Sequence, residues 1–369
     1  MSSARRLRIG IEATSLLGAR TGIGAMTRAL LVRLGAVSDI DVTGIVISWR
    51  GRGQVETELP PGVANRSLLF PAQAAHRLWR RFNQPSLGGF DVIHGPNYVV
   101  PPGRGTPELV SVHDFGPWHY PDYVTSHARV YPELVQRALA RGAHVHVDSA
   151  FVGAEAEEIL GIDPERIHVI RLGFDSQDRG DPARAQARIG SRYVLSLGTI
   201  EPRKDLPTLV AAMAMVRHKA PDLRLVVAGP DGWGTESFAT AVEFHQMEDR
   251  VVRLGYVSEA ERADLLAGAA CLAFPSIYEG FGLPPLEAMA ASTPVITTTA
   301  GSLPEICGPA ARYFPARSHD YLAEAIVEVT SDDVVASALV TAGHEQIRRY
   351  SWDRTAAEML DLYRRLAAA

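Results

Sequence analysis

The stretch that decides the fold runs Ser276-Ile277-Tyr278-Glu279-Gly280-Phe281-Gly282-Leu283-Pro284-Pro285-Leu286-Glu287-Ala288-Met289-Ala290. The apolar run from Ala269 to Phe274 leads into it and reads as a buried strand. Gly280 and Gly282 let the backbone approach a ligand closely. Pro284 and Pro285 suit a first helical turn, where a missing N–H costs little. The segment therefore reads as strand, glycine loop, helix start. That geometry aims unpaired N–H groups and a positive dipole end at an anion, usually phosphate. Glu279 and Glu287 flank the anion site and would repel phosphate, so hydroxyls are their expected partners. A ligand with phosphate and many hydroxyls is a nucleotide sugar.

Seven residues separate Glu279 from Glu287. The run from Glu279 to Ala290 resembles the donor-site signature of the retaining glycosyltransferases of family 4 (glycosyl transferases group 1), and its mannosyltransferase-like members in particular. The resemblance covers nearly the whole chain, densely from Val194 to Pro315 and more thinly before Gly173. It implies an α/β chain of GT-B fold: two Rossmann-like, doubly wound parallel-sheet domains facing a cleft.

The pattern along the chain agrees. Leu7 to Glu12 reads as a first buried strand, followed by a glycine-bearing loop and a helix from about Ala25 to Leu34. Short strands are expected at 42–48, 91–94, 109–113, 144–149 and 167–172, with a helix from about Phe151 to Leu160. A second set begins at Tyr193–Leu197 and continues with strands at 223–228, 251–254, 270–274 and 294–298. Its helices are expected at 206–217, 259–267 and 285–291. Strands alternating with helices imply parallel sheets. The polar stretch from Ser176 to Ser191 is the best linker candidate. The expected domains are residues 1–175, on the acceptor side, and 176–349, which holds the donor. A last amphipathic helix lies within 350–369, and by resemblance it crosses back to the first domain.

Arg203 and Lys204 follow a strand and a loop containing Gly198. Two cations there can neutralise a diphosphate, one as a planar fork and one as a point charge. Only two of the 37 basic residues are lysines, Lys204 and Lys219. The resemblance gives Arg203 and Lys204 the donor diphosphate, although Thr199 stands where some relatives carry a further arginine. It gives Glu279 the sugar hydroxyls and Glu287 the ribose hydroxyls. It places Gly280, Phe281, Gly282 and Leu283 at the donor, lets Val257 touch the base through its backbone, and sets His113 beside the sugar. A structural histidine is the competing reading of His113. Gly22-Ile23-Gly24 at a helix start can cradle phosphate. No third glycine follows, and the second strand ends Ser48-Trp49-Arg50, without the acid of a dinucleotide site.

Other classes fit less well. A net charge of −5 argues against general nucleic-acid binding. No apolar run is long enough to span a bilayer, and the start Met-Ser-Ser-Ala-Arg-Arg lacks a signal core, so a cytoplasmic protein is expected. Cys271 and Cys307 fit a reducing compartment. The triplet Asp39-Ile40-Asp41 and the pair His144 and His146 make no convincing metal site, and neither metal nor cofactor is expected. Arg77, Trp79, Arg80, Arg81 and Phe82 mix cations with bulky apolar groups. They read either as a surface for the inner face of an anionic membrane or as an ordinary helix with Trp79 inward.

The expected activity is retaining, metal-independent transfer of a hexose from a nucleotide-diphosphate sugar, GDP-mannose first, to a hydroxyl of a glycan, glycolipid or lipid-linked acceptor, as in polysaccharide biosynthesis. A sugar-nucleotide epimerase of the same fold is the alternative. So is a non-catalytic nucleotide-sugar-binding subunit of a polysaccharide assembly complex.

Overall fold

A computed structural model describes residues 5–17, 22–49, 55, 57–125, 128–175 and 180–369. The chain divides into two units, Met1–Gly173 with Ser351–Ala369, and Phe174–Tyr350.

The first unit holds seven strands: β1 Leu7–Glu12, β2 Ile40–Ile47, β3 Val63–Leu68, β4 Val92–Gly95, β5 Glu108–Ser111, β6 His144–Val147 and β7 Ile167–Val169. They pair in parallel in the order β3-β2-β1-β4-β5-β6-β7. β4 and β5 are buried throughout, as parallel strands covered on both faces must be. The edge strand β3, Val-Ala-Asn-Arg-Ser-Leu, is half exposed. It lacks the apolar run that marks its neighbours, and its sequence gave no expectation of a strand. Leu31 and Leu34 of the helix Gly22–Gly35 pack with Ile9 and Ile11 of β1. The same core takes Met359, Leu362, Tyr363 and Leu366 from the last helix, Trp352–Ala368. That helix, remote in sequence, is therefore an integral part of the first unit.

The second unit holds six strands: β8 Tyr193–Leu197, β9 Arg224–Ala228, β10 Val251–Gly255, β11 Cys271–Phe274, β12 Val295–Thr298 and β13 Ala311–Phe314. All pair in parallel, in the order β10-β9-β8-β11-β12-β13. This is the doubly wound arrangement, whose order reverses between β8 and β11. β8 and β11 are buried along their whole length. Both cysteines are free, buried thiols.

The expected linker is corrected. Within Ser176–Ser191 the chain forms a helix, Pro182–Ile189, that buries Ala185 and Ile189. Asp181 caps its start by accepting the Ala183 N–H, and Gly190 ends it in the left-handed conformation. Arg188 pairs with Glu261 at 2.6 Å on the helix Glu259–Gly268. Polar composition concealed a short amphipathic helix whose two apolar side chains are four residues apart.

Candidate functional site

The order reversal of the second sheet brings two loops side by side. One follows β8 and runs from Gly198 to Lys204. The other follows β11 and carries Ser276 to Gly282. The Ile277 N–H donates to the Arg203 carbonyl at 2.9 Å, which ties the loops together.

Glu279 lies between both cations. The Lys204 ammonium donates to Glu279 Oε1 at 2.5 Å and the Arg203 guanidinium to Oε2 at 2.6 Å. Arg203 is further fixed by the Tyr278 carbonyl at 2.7 Å and by Glu201 at 2.7 Å. Lys204 Nζ also sits 4.4 Å above the Phe274 ring, a contact that favours a cation. Burial alone would push the Glu279 carboxyl up. Arg203 and Lys204 outweigh burial and hold it down at about 2. The carboxylate is ionised at any working pH.

The backbone of the second loop is held as firmly. The Ser302 N–H and hydroxyl both donate to the Glu279 carbonyl, at 2.9 and 3.0 Å. Gly301 passes so close that a Cβ there would lie 2.4 Å from the same oxygen. Gly282 adopts φ +109° and opens the helix Leu283–Ala290 with no side-chain cap. Pro284 and Pro285 carry no N–H, so the helix start offers the Leu283 N–H and the positive end of the dipole to a ligand or to water.

Glu287 lies in this helix and is largely buried. Arg262 of the helix Glu259–Gly268 donates to its carboxylate. Burial raises the Glu287 carboxyl, and Arg262 opposes that rise without overcoming it. Arg262 Nε is itself buried without a hydrogen-bond partner. Glu201, Arg262, Gly301 and Ser302 were missed in the sequence. No motif marks Arg262, Gly301 or Ser302, whose contacts join segments far apart in the chain, whereas Glu201 opens the Glu201-Pro202-Arg203-Lys204 run and braces Arg203 two residues on. Val257 follows the end of β10 and is part-exposed, beside the exposed Tyr256.

The candidates in the first unit are placed differently. His113 has no free ring nitrogen. Nδ1 lies 2.6 Å from Asp148 Oδ2 and Nε2 lies 2.7 Å from the Pro96 carbonyl. Both partners are acceptors, so both nitrogens carry protons and the ring is an imidazolium. Burial opposes that charge, but Asp148 and Pro96 outweigh burial and raise the pKa. The His113 side chain thus has a structural occupation. Gly22 and Gly24 lie in the first turn of Gly22–Gly35, and residues 18–21 before them are outside the described residues. A Cβ at Gly22 would meet open space.

The surface expected at 77–82 is corrected at two residues. It lies on the helix Ala72–Phe82. Trp79 is buried, and its Nε1 donates to the Pro85 carbonyl at 3.1 Å. Arg80 pairs with Glu133. Arg77, Leu78, Arg81 and Phe82 are exposed. Among the described residues no group of three or more His, Cys, Asp or Glu could hold a metal. Asp39 and Asp41 pair with Arg364 and Arg6. No helix among the described residues is long and apolar enough to cross a membrane.

Two cations, an uncapped helix start and two carboxylates on one side of a sheet can hold an anion joined to a polyol. Residues 181–346 match the family model for glycosyl transferases group 1, and residues 21–178 match that for glycosyltransferase family 4. The chain belongs to the GT-B glycosyltransferases of family 4. It is 32% identical over 178 residues to the O-antigen chain mannosyltransferase B of Escherichia coli, covering 47% of this chain and 46% of that one. It spans about half the length of the curated relatives it matches. Its fold is that of the sucrose-phosphate synthase of Thermosynechococcus elongatus, with a TM-score of 0.79 at 23% identity over 98% of this chain and 100% of that one. HepE of Anabaena, solved with UDP and glucose, gives a TM-score of 0.73 at 17% identity over 97% and 99%.

Proposed function

We propose that the protein is a retaining, metal-independent hexosyltransferase. It moves a mannose-like sugar from a nucleotide-diphosphate donor, GDP-mannose first, to a hydroxyl of a glycan, glycolipid or lipid-linked acceptor. The observation that carries this reading is Glu279 bonded to both Arg203 and Lys204. A bound diphosphate would take over the two cations, and the ionised carboxylate would turn to the hydroxyls of the sugar. The bond from the anomeric carbon to the phosphate oxygen then breaks, and its electrons leave with the nucleoside diphosphate. The acceptor oxygen attacks from the same face, and its proton passes to the departing phosphate oxygen. In this reading neither Glu279 nor Glu201, which Arg203 bridges, attacks the anomeric carbon as a glycosidase nucleophile would. Stabilisation of the leaving group is therefore electrostatic, from Arg203, Lys204 and the helix start at Leu283. Glu287 takes the ribose hydroxyls. The relationship to a mannosyltransferase supports the choice of sugar. Work at the inner face of a membrane would use the exposed Arg77, Arg81, Leu78 and Phe82.

Product analysis tests the reading. The protein is mixed with GDP-mannose, UDP-glucose and other sugar nucleotides in excess EDTA. Transfer, or slow hydrolysis of one donor, is expected. An epimeric sugar nucleotide, unchanged donor, or activity that returns only with magnesium or manganese would overturn it.

A further inference from the structure

The parallel pairing of β11 with β12 ends at Phe274 and Thr297. In the loop that follows β11, Ser276 and residues 278–282 are buried, and buried carbonyls need donors. Side-chain hydroxyls supply them. Thr297 Oγ1 donates to the Phe274 carbonyl at 3.0 Å, and Thr298 Oγ1 to the Ser276 carbonyl at 2.6 Å. Ser302 then reaches the carbonyls of Glu279 and Phe281. All three donors are fully buried. We propose that Thr298 and Ser302 are positioning residues of the donor site. Their hydroxyls fix the loop so that Glu279 and the helix start at Leu283 meet the sugar-bearing phosphate of the donor. This rests on the transferase reading above and adds to it two residues that touch no ligand.

Ser302 is the clearer case. It stands at the N-cap of the helix Leu303–Cys307, where a serine hydroxyl usually accepts an N–H of its own helix. Here it makes no such bond. It lies 3.0 Å from two carbonyls, those of Glu279 and Phe281, and a hydroxyl has one proton to share between them. The Glu279 carbonyl also takes the Ser302 N–H at 2.9 Å, so Phe281 is the carbonyl that depends on the hydroxyl. One residue thereby grips the loop on both sides of Gly280. Gly301 permits the approach, because a Cβ there would strike the Glu279 backbone.

Thr298 has a set direction as well. Its hydroxyl accepts the Ala300 N–H at 3.3 Å while it donates to Ser276. Ser276 lies near the start of the loop and Phe281 near its end, so the two hydroxyls hold both ends.

Glu279 is the reason the loop needs holding. In the transferase reading a diphosphate takes Arg203 and Lys204, and Glu279 turns to the sugar. An ionised carboxylate that loses two buried cations is driven toward water or a new donor, and it can carry its backbone along. With that backbone held from the end of β12, only the side chain turns. The groups that meet the leaving phosphate keep their places, as electrostatic stabilisation requires.

The same reading puts Glu279 at the sugar, hence near the sugar-bearing phosphate, and Glu287 at the ribose. The ratio of diphosphate to monophosphate affinity therefore reports on the loop, while a disturbance at the ribose moves both nucleotides together. Calorimetry on the full chain with GDP, UDP and ADP, each beside its monophosphate, measures that ratio. Thr298→Val, which keeps the side-chain shape, and Ser302→Ala should each cut it about tenfold, the order expected for one lost hydrogen bond. Ser302→Ala keeps the N–H grip on Glu279, so it should fold, which circular dichroism checks. Thr298→Ser restores the hydroxyl and should stay within about twofold of wild type. Thr293→Val is the control. It removes another buried hydroxyl bond, to the Leu266 carbonyl, just before β12 begins. It should lower the urea midpoint as Thr298→Val does and leave the ratio unchanged. With a donor that is turned over, Thr298→Val and Ser302→Ala should lower kcat about tenfold or more, with KM changed less. A ratio that survives Ser302→Ala and Thr298→Val, or one that Thr293→Val or Thr298→Ser cuts as deeply, would overturn the proposal. Should Thr298→Val unfold, Ser302→Ala decides alone. If wild type binds nucleotides and the ratio does not respond, the positioning role alone is wrong. If wild type binds no nucleotide, the transferase reading fails first and this role with it.

Discussion

Lys204 Nζ and Glu279 Oε1 lie 2.5 Å apart, although their loops follow different strands 75 residues apart. Both side chains are nearly buried, and Arg203 completes the cluster on the other carboxylate oxygen. The fold thus holds both cations against one carboxylate. That keeps two positive charges in place before any diphosphate arrives, and preorganised charge is what stabilises a leaving group.

Lys204→Ala is expected to lower kcat by about 10²–10³-fold, by analogy with the loss of one oxyanion donor. Negative charge grows on the diphosphate as the glycosidic bond breaks, so the loss should appear mainly in kcat. Some donor affinity should also be lost, because the ground-state diphosphate is already anionic. Arg203 still neutralises Glu279, so the variant should fold. Steady-state kinetics with a circular dichroism control decide this. A folded variant with kcat within about twofold of wild type, well short of that loss, removes Lys204 from the mechanism.

Glu287→Ala is expected to weaken binding of the preferred free nucleotide by about 1.5–3 kcal/mol, the usual worth of hydrogen bonds to a charged group. Arg262→Gln should weaken it too without touching the ligand. Burial raises the Glu287 carboxyl, and Arg262 is the group that opposes this. Without Arg262 the carboxyl takes up a proton more readily. Nucleotide affinity of the variant should then fall more steeply as the pH is lowered from 8 to 6, and Arg262→Lys should restore much of the lost binding. Calorimetry across that range is the check. Parallel pH profiles for wild type and Arg262→Gln would show that Arg262 does not set the charge of Glu287.

The legible parts of the sequence were those where one local physical rule dominates. β8 was read with its observed bounds because Tyr193–Leu197 is apolar at every position but Ser196 and lies between Arg192 and Gly198. The helix Glu259–Gly268 announces itself through Ser258 and Glu261, which form a reciprocal capping box. Edge strands were harder. β13, Ala-Arg-Tyr-Phe, alternates too briefly to stand out. At the site the motif exposed Glu279 and Glu287 but not what they bond to. Arg262 is one of many arginines, and only the packing of two helices selects it. The Asp148 partner of His113 is a tertiary fact of the same kind, while the Glu201 brace on Arg203 is local and turns on a side-chain direction that the residue order does not state. Trp79 could face either way, because a helix of this composition can bury its indole or its leucine. The fold chose the indole.

Tyr363→Phe should loosen the last helix from the first unit. Its hydroxyl is 2.7 Å from His94 Nδ1, and His94 Nε2 is 2.8 Å from the Ser111 hydroxyl. Ser111 in turn is 2.8 Å from His146 Nδ1, and His146 Nε2 is 2.9 Å from the Ile170 carbonyl. One proton order satisfies every member. The Ile170 carbonyl can only accept, so His146 Nε2 carries a proton, His146 Nδ1 accepts from Ser111, Ser111 accepts from His94, and His94 accepts from Tyr363. Both histidines are neutral in this chain, and burial lowers both pKa values. Removing the phenol leaves His94 Nδ1 buried and unpaired, at a cost of about 1–3 kcal/mol. Urea unfolding followed with hydrogen exchange in Trp352–Ala368 should show it. Unchanged stability and unchanged protection of that helix would remove the chain's role in holding it.

Asp148→Asn should give a stability loss that depends on pH in the opposite sense. His113 is raised above its ordinary value, chiefly against the cost of burial, by Asp148 and the Pro96 carbonyl. A raised folded pKa contributes stability that is fully present below the unfolded value of about 6.5. The contribution is lost as the pH climbs through the folded value. His94 and His146, held low, contribute the other way. Their share is present above about 6.5 and fades as the pH falls toward their folded values. Asp148 also raises His146 against burial, so the difference between wild type and Asp148→Asn at each pH carries both rings and leaves out only His94. At pH 6 the variant is expected to be less stable by about 1.5–3 kcal/mol, the range for hydrogen bonds to a charged group. The gap should shrink as the pH climbs through the raised folded value of His113, where the imidazolium that Asp148 favours gives up its proton. Urea titrations of both proteins at pH 6, 7, 8 and 9 measure the gap. A gap of constant size across the series would mean that His113 is neutral in the fold and that one of its two short contacts is not a hydrogen bond.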